Sequence, residues 1–336
     1  MTQSPRTPRA PSSTEVDLQH AVRRWDATAA ERVENPIQGW LDSPLVWEMH
    51  VLPKIGGGPG HHWLVAAVER HGIPRTGRWL SLGCGAAGTE IAASRWGLFA
   101  SLHGLDASSQ SLAIARQSTA AERVANVSFA QADLNRLELP REEFDVVLAN
   151  MSLHHVRSLR GALSAIHGAL RPDGWLIVNE FVGPRQFQFT DLQLGLVRDL
   201  LAALPERYRQ DASTGGLKTD YPRLSIEHWN KADPSEAIRS DLILGEIARQ
   251  FQVVERVDYG GTILQLLLEH IVHNFDAADR EGMAILSLLG RFEDSLIRRG
   301  VLPSDFTFLV ARKRPAGLRW RSRLPGRARA EHGRLA

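Results

Sequence analysis

Residues 83–88 read Gly-Cys-Gly-Ala-Ala-Gly. Glycines at this spacing let a chain turn sharply and lie close against a ligand, with no Cβ in the way. Asp106 stands 23 residues beyond Gly83, about where an acid accepts hydrogen bonds from a ribose diol. A second acid, Asp133, can accept from an adenine amino group while Leu134 covers the ring; otherwise it is a surface acid opening a loop. His154 and His155 form a pair whose ordinary pKa, near 6.5, suits proton transfer at neutral pH. His154 is taken as the pocket-facing member, and the alternative is a pair that caps a helix and packs. Glu180 could orient an acceptor hydroxyl, and Arg185 could hold a phosphate or carboxylate through its fork of donors. An ion pair between those two, or with the N-terminal part, is the plainer alternative. Tyr221 and Trp229 lie in a loop-rich stretch, 205–234, suited to a lid over a polar organic acceptor.

The elements that must position these residues follow an alternating pattern. Strands are predicted at 78–83, 100–106, 126–132, 144–150 and 175–181, with helices at 90–97, 108–121 and 159–170 between them. Arg171-Pro172-Asp173-Gly174 is predicted to be a turn, since Pro fixes φ and Gly accepts positive φ. Repeated strand–helix units imply a parallel sheet covered on both faces. Beyond Phe181 come predicted helices at 187–204, 235–250, 262–275 and 278–299, and strands at 251–259 and 306–313. The apolar stripe from Ile263 to Val272 belongs to the core or to a dimer surface. Before the alternation lie an unstructured start (1–14) and a helical cap (15–76) rich in Trp and Pro. The main domain spans 77–313, with a lid insertion at about 187–240 and a helical insertion at about 262–300, and a basic tail occupies 314–336.

The 336 residues are 43% hydrophobic and 23% charged, which excludes a globally disordered chain. No apolar run approaches the roughly 18 residues of a membrane span, and the N-terminus has no signal-peptide core. Cys84 is the single cysteine, so an intramolecular disulfide is impossible and a reduced, cytoplasmic location is expected. Residues 311–336 carry a net charge of +8, leaving −6 for the rest. The overall +2 therefore describes a basic tail on an acidic body and gives no argument for a nucleic-acid partner.

A dinucleotide would need a helix N-terminus aimed at its pyrophosphate. S-adenosylmethionine carries a sulfonium, a ribose, an adenine and an amino-acid end, and asks instead for carboxylates and carbonyls. The pair Asp106 and Asp133 answers that need. With LSLGCGAAGTE, HGLDASSQSLAIAR, AQADLNRL, FDVVLANMSLHHV and LRPDGWLIVNE in order between 77 and 181, the chain resembles the class I S-adenosylmethionine-dependent methyltransferases. The resemblance implies an α/β, Rossmann-like sheet of seven strands, mostly parallel with an antiparallel last strand. It also implies that Gly83, Gly85 and Gly88 line the methionine side, that Asp106 holds the ribose, that Asp133 and Leu134 frame the adenine, and that Asn150 lies near the sulfonium. One departure stands out: the family often has an acid two residues before the first glycine, where this chain has Ser81. Glu90 or a backbone carbonyl is then left to hold the cofactor's amino group.

The expected function is methyl transfer to a small organic acceptor, at a hydroxyl of a sugar or secondary metabolite, with His154, His155 and Glu180 as the catalytic group. The alternatives are an RNA-directed methyltransferase that uses the basic tail and a non-catalytic S-adenosylmethionine-binding protein. A nicotinamide-dependent oxidoreductase would share the glycine turn but gives no reason for Asp133 or the paired histidines. Metal independence is expected, since neither His61-His62 nor His154-His155 follows a zinc-ligand spacing. A homodimer is the assembly the apolar stripe would allow.

Overall fold

The computed structural model describes residues 18–27, 39–58 and 61–314. The expectations for 1–14 and for the basic tail beyond Arg314 fall outside the described residues. Seven strands form one sheet: β1 (Arg78–Leu82), β2 (Ser101–Asp106), β3 (Val127–Gln131), β4 (Phe144–Asn150), β5 (Leu170–Phe181), β6 (Phe251–Gly260) and β7 (Phe306–Lys313). Their order is β3-β2-β1-β4-β5-β7-β6, and β7 alone runs against its neighbours. The order reverses between β1 and β4, so their carboxyl ends open the crevice in which such sheets bind ligands.

Period-two alternation sends successive side chains to opposite faces. Trp79, Val146, Leu148 and Ile177 join the N-terminal cap and the helix Trp63–His71 in one core. Leu80, Val147, Leu176 and Val178 join the helices Leu159–Ala169 and Ile243–Gln250 in the other. Burial on both sides explains why β4 and β5 read as nearly continuous apolar runs.

The strands fall within a residue or two of prediction except at the start of β5. There the predicted Arg171–Gly174 turn is absorbed into the strand as a bulge exposed at Arg171, Pro172 and Asp173, and the register against β4 jumps from Phe144↔Leu170 to Val146↔Trp175. The predicted 187–204 helix is Asp191–Ala203, started by Thr190, whose side chain accepts from the Gln193 N–H while Gln193 reaches back. Only Ile243–Gln250 of the 235–250 helix forms, because Asp233 takes the Ser235 N–H in a side-chain turn that competes with helix. The 262–275 stretch yields Leu264–Leu268 and a short turn at Val272–Asn274, interrupted by His270 at φ 61. Its apolar residues are fully buried within the one chain, so the stripe is core and leaves nothing for a dimer surface. Among the described residues no helix is long and apolar enough to cross a membrane.

Candidate functional site

The turn after β1 is built as its glycines suggest. Gly83 sits at φ +64, and a Cβ there would meet Ser152 Cβ at 2.5 Å. Gly85, at φ +52, and Gly88, which opens the helix Gly88–Arg95, have open space where a side chain would stand. Asp106 ends β2 and fastens the turn, its Oδ2 accepting from the Gly85 N–H and its Oδ1 from the Ser108 N–H, each at 2.8 Å. Burial raises its pKa. Asp133 holds the next turn by accepting from Asn135, and Leu134 beside it packs half-buried on the core. The same Asn135 accepts the Arg157 and Ser158 N–H groups, so the turn after β3 is tied to the segment after the histidines.

Ser81, the departure noted in the sequence, donates its hydroxyl to Glu90 Oε1 at 2.6 Å. Glu90 is 2% exposed, its Oε2 has no partner, and burial pushes its carboxyl up to about 7. The carboxylate beside Ser81 thus comes from the helix that follows the glycine turn. A cationic, amino-acid-ended cofactor fits this cradle: open space over Gly85 and Gly88, an unpaired buried carboxylate oxygen, and the Asp106 carboxylate at the end of β2.

A ladder of donors crosses the neighbouring strand ends. Tyr259 O–H donates to Asn179 Oδ1, Asn179 Nδ2 to Asn150 Oδ1, and Asn150 Nδ2 to Thr89 Oγ1, over 2.8–3.2 Å. Asn150 is thereby fixed where β4 meets the glycine turn.

Just beyond it, the backbone of Met151 adopts positive φ and swings His154 and His155 onto a short 3-10 turn. Glu180, fully buried, accepts from the Ser152, Leu153 and Phe181 N–H groups and from His154 Nδ1, the last at 2.5 Å. His154 Nε2 lies 3.6 Å from Glu236 Oε1. Burial lowers the His154 pKa, but the charge and hydrogen bond of Glu180, with Glu236 and Asp233, outweigh it and hold the ring at about 9. Burial and the neighbouring His154 charge lower His155, so the pair holds one charged and one neutral ring. His155 Nδ1 meets Ser235 Oγ at 3.1 Å, and that hydroxyl donates to Asp233 at 2.6 Å. Trp25, from the helical segment 18–27, stands edge-on to His155 and donates to Asp233, while Asp26 accepts from Ser108 and Gln110.

The structure brings Glu180 and both histidines together, but Arg185 is occupied in an exposed two-point pair with Asp241. This is the ion-pair alternative, with a different acid from those foreseen. Trp229 packs edge-on to Phe187, which in turn meets Phe181 and Phe189; Tyr221 packs on Phe189. The Trp229 Nε1 is buried without a partner. Sequence reasoning missed Asp233, in the predicted loop-rich stretch, and Ser235 and Glu236, in the predicted 235–250 helix, all about 80 residues from the histidines, and it missed Trp25.

The sheet order and this rim define a class I methyltransferase. The family described as "Methyltransferase domain" matches residues 80–178. A demethylmenaquinone methyltransferase of Tropheryma whipplei is 30% identical over 174 residues, covering 51% of this chain and 68% of the relative. An uncharacterized methyltransferase of Mycobacterium bovis is 42% identical over 67 residues, 19% of this chain; the chain spans only 34% of that relative's length. Among solved structures, the [4+2]-cyclase SpnF aligns over 91% of this chain and 97% of its own, at 20% identity and TM-score 0.47. The chain belongs to the class I S-adenosylmethionine-dependent methyltransferase family, and S-adenosylmethionine is its cofactor.

Proposed function

We propose that this chain transfers the methyl group of S-adenosylmethionine to a hydroxyl of a small organic acceptor, of the sugar or secondary-metabolite kind. The observation that carries the reading is the convergence of Glu180, His154 and His155 at the carboxyl ends of β4 and β5, beside the glycine turn. The bound cofactor supplies an activated methyl on a good leaving group, so most of the protein's task is alignment. Asp106 and Asp133 hold the nucleoside end, Glu90 takes the amino group, and Asn150 marks the edge from which the acceptor approaches. The hydroxyl must shed a proton as the methyl arrives, and the histidine pair with Glu180 behind it eases that loss. Phe181, Phe187 and Trp229 form an aromatic wall leading away from His154, with the Trp229 indole N–H available to a polar acceptor. By this reading about 187–240 is the acceptor lid and about 262–300 a helical buttress. Arg185 would bind an acidic acceptor only by leaving Asp241.

The test is a screen of hydroxylated acceptors with methyl-labelled cofactor, with the methylated atom located by NMR. Demethylmenaquinone, for which the Tropheryma whipplei relative is named, belongs in the panel. A methoxy product is expected. Cofactor binding with transfer only to carbon or nitrogen would overturn the hydroxyl assignment.

A further inference from the structure

We infer that His154, His155 and Glu236 form a binding site for one divalent transition-metal ion of the zinc type. One ligand atom from each residue lies within 4.8 Å of the others. The His154 Nε2–Glu236 Oε1 separation of 3.6 Å is close to the roughly 3.0–3.4 Å that two ligands on ~2.1 Å bonds adopt.

The outer hydrogen bonds prepare both rings for this role. Glu180 cannot swing, because three backbone N–H groups hold it, and its bond to His154 Nδ1 keeps a proton there, so that an ion displacing the Nε2 proton of the charged ring would meet the lone pair of that nitrogen. Ser235 has given its one proton to Asp233, so its oxygen must accept from His155 Nδ1–H. That fixes the same tautomer in the second ring, with its Nε2 lone pair free of the proton. A carboxylate behind one imidazole, and a hydroxyl–carboxylate relay behind the other, is the arrangement that orients histidine ligands around metals.

Charge agrees. Three carboxylates, Glu180, Asp233 and Glu236, surround two imidazoles, so a dication offsets an acidic excess that one imidazolium cannot. Two nitrogens and one carboxylate leave coordination positions open. An ion there would act as a Lewis acid on the acceptor hydroxyl, a role that rests on the hydroxyl reading above; metal binding itself does not.

The full chain, stripped with chelator, is titrated with zinc(II), and with cobalt(II) as a visible-absorbing probe. Wild type is expected to bind one equivalent of each. His155→Ala and Glu236→Gln, checked for folding by circular dichroism, are expected to weaken zinc affinity at least tenfold; both leave Glu180 and its buried partners in place. Absence of saturable one-equivalent binding in wild type, or unchanged affinity in both variants, would overturn the site. The readout is metal binding, so its failure leaves the methyl-transfer assignment intact. Conversely, failure to find a methylated acceptor leaves the metal result standing.

Discussion

Replacing Glu90 with Gln tests how this chain manages without an acid on β1. The carboxyl is buried, bonded at one oxygen to Ser81 and unpaired at the other, and its pKa is pushed from 4.5 to about 7. Between those values the folded protein keeps a proton that the unfolded chain has lost. Stability therefore falls as pH rises through that window and stays lower above it. At ~1.4 kcal/mol per unit, ionised Glu90 costs the cofactor-free protein up to about 3 kcal/mol. Glu90→Gln keeps an acceptor for Ser81 and has no charge to bury, so the variant should be the more stable protein at pH 8 and nearly equal at pH 4.5. Urea denaturation at the two pH values measures the difference. Cofactor binding should change in the opposite sense. A charge-assisted bond to an ammonium is worth roughly 1.5–3 kcal/mol, which translates into an affinity loss of about 10–150-fold in the variant. At pH 7 about half of wild-type Glu90 is protonated, and a cation beside it should expel that fraction. Calorimetry in buffers of different ionisation enthalpy reads the release as a slope, which Glu90→Gln should abolish. Equal cofactor affinity in the two proteins, with the slope unchanged, would refute the assignment of Glu90 to the amino group.

Asp106→Ala removes the ribose acceptor and the anchor of Gly85 and Ser108 together, and should weaken cofactor binding more than any other single change in the turn; unaltered affinity in calorimetry would count against the role. Gly83→Ala forces a Cβ into Ser152 at a left-handed φ and should lower unfolding free energy by about 2–5 kcal/mol, measured in urea. Glu180→Ala strands His154 and three backbone N–H groups, for an expected loss of about 3–5 kcal/mol. Removing residues 315–336 should leave turnover on a small acceptor unchanged, whereas a loss of activity confined to RNA substrates would favour the RNA alternative. The cut belongs after Arg314, because Phe306–Lys313 is a sheet strand and Arg314 donates to the Ala248 and Phe251 carbonyls.

The sheet was legible because its signals are local. Apolar runs bounded by turns mark β1 to β5, and the glycine turn with Asp106 declares its own geometry. The site's outer half was not legible, because Glu236, Asp233 and Ser235 reach the histidines only through the path of the chain between β5 and β6. Their sequence, Asp-Pro-Ser-Glu, reads as a helix start, whereas the Asp233 carboxylate takes the Ser235 N–H and keeps the segment in turns. The Ser81–Glu90 exchange was half legible: the missing acid showed at 81, and Glu90 was one of two candidates to replace it. Its burial and pairing came only from the packing of the helix on β1.

The ladder from Tyr259 through Asn179 and Asn150 to Thr89 has a consequence for ligand binding as well as for packing. Its first ring stacks on Trp40 of the N-terminal cap, and its last member belongs to the helix that opens at the glycine turn. Each amide is therefore held in one orientation before any ligand arrives. Ordering a free polar side chain on binding costs roughly 0.5–1.5 kcal/mol, and folding has already met that cost for these residues. The rim is preorganised, and loosening it at Tyr259, two strands away from β5, would be felt as weaker binding at β4.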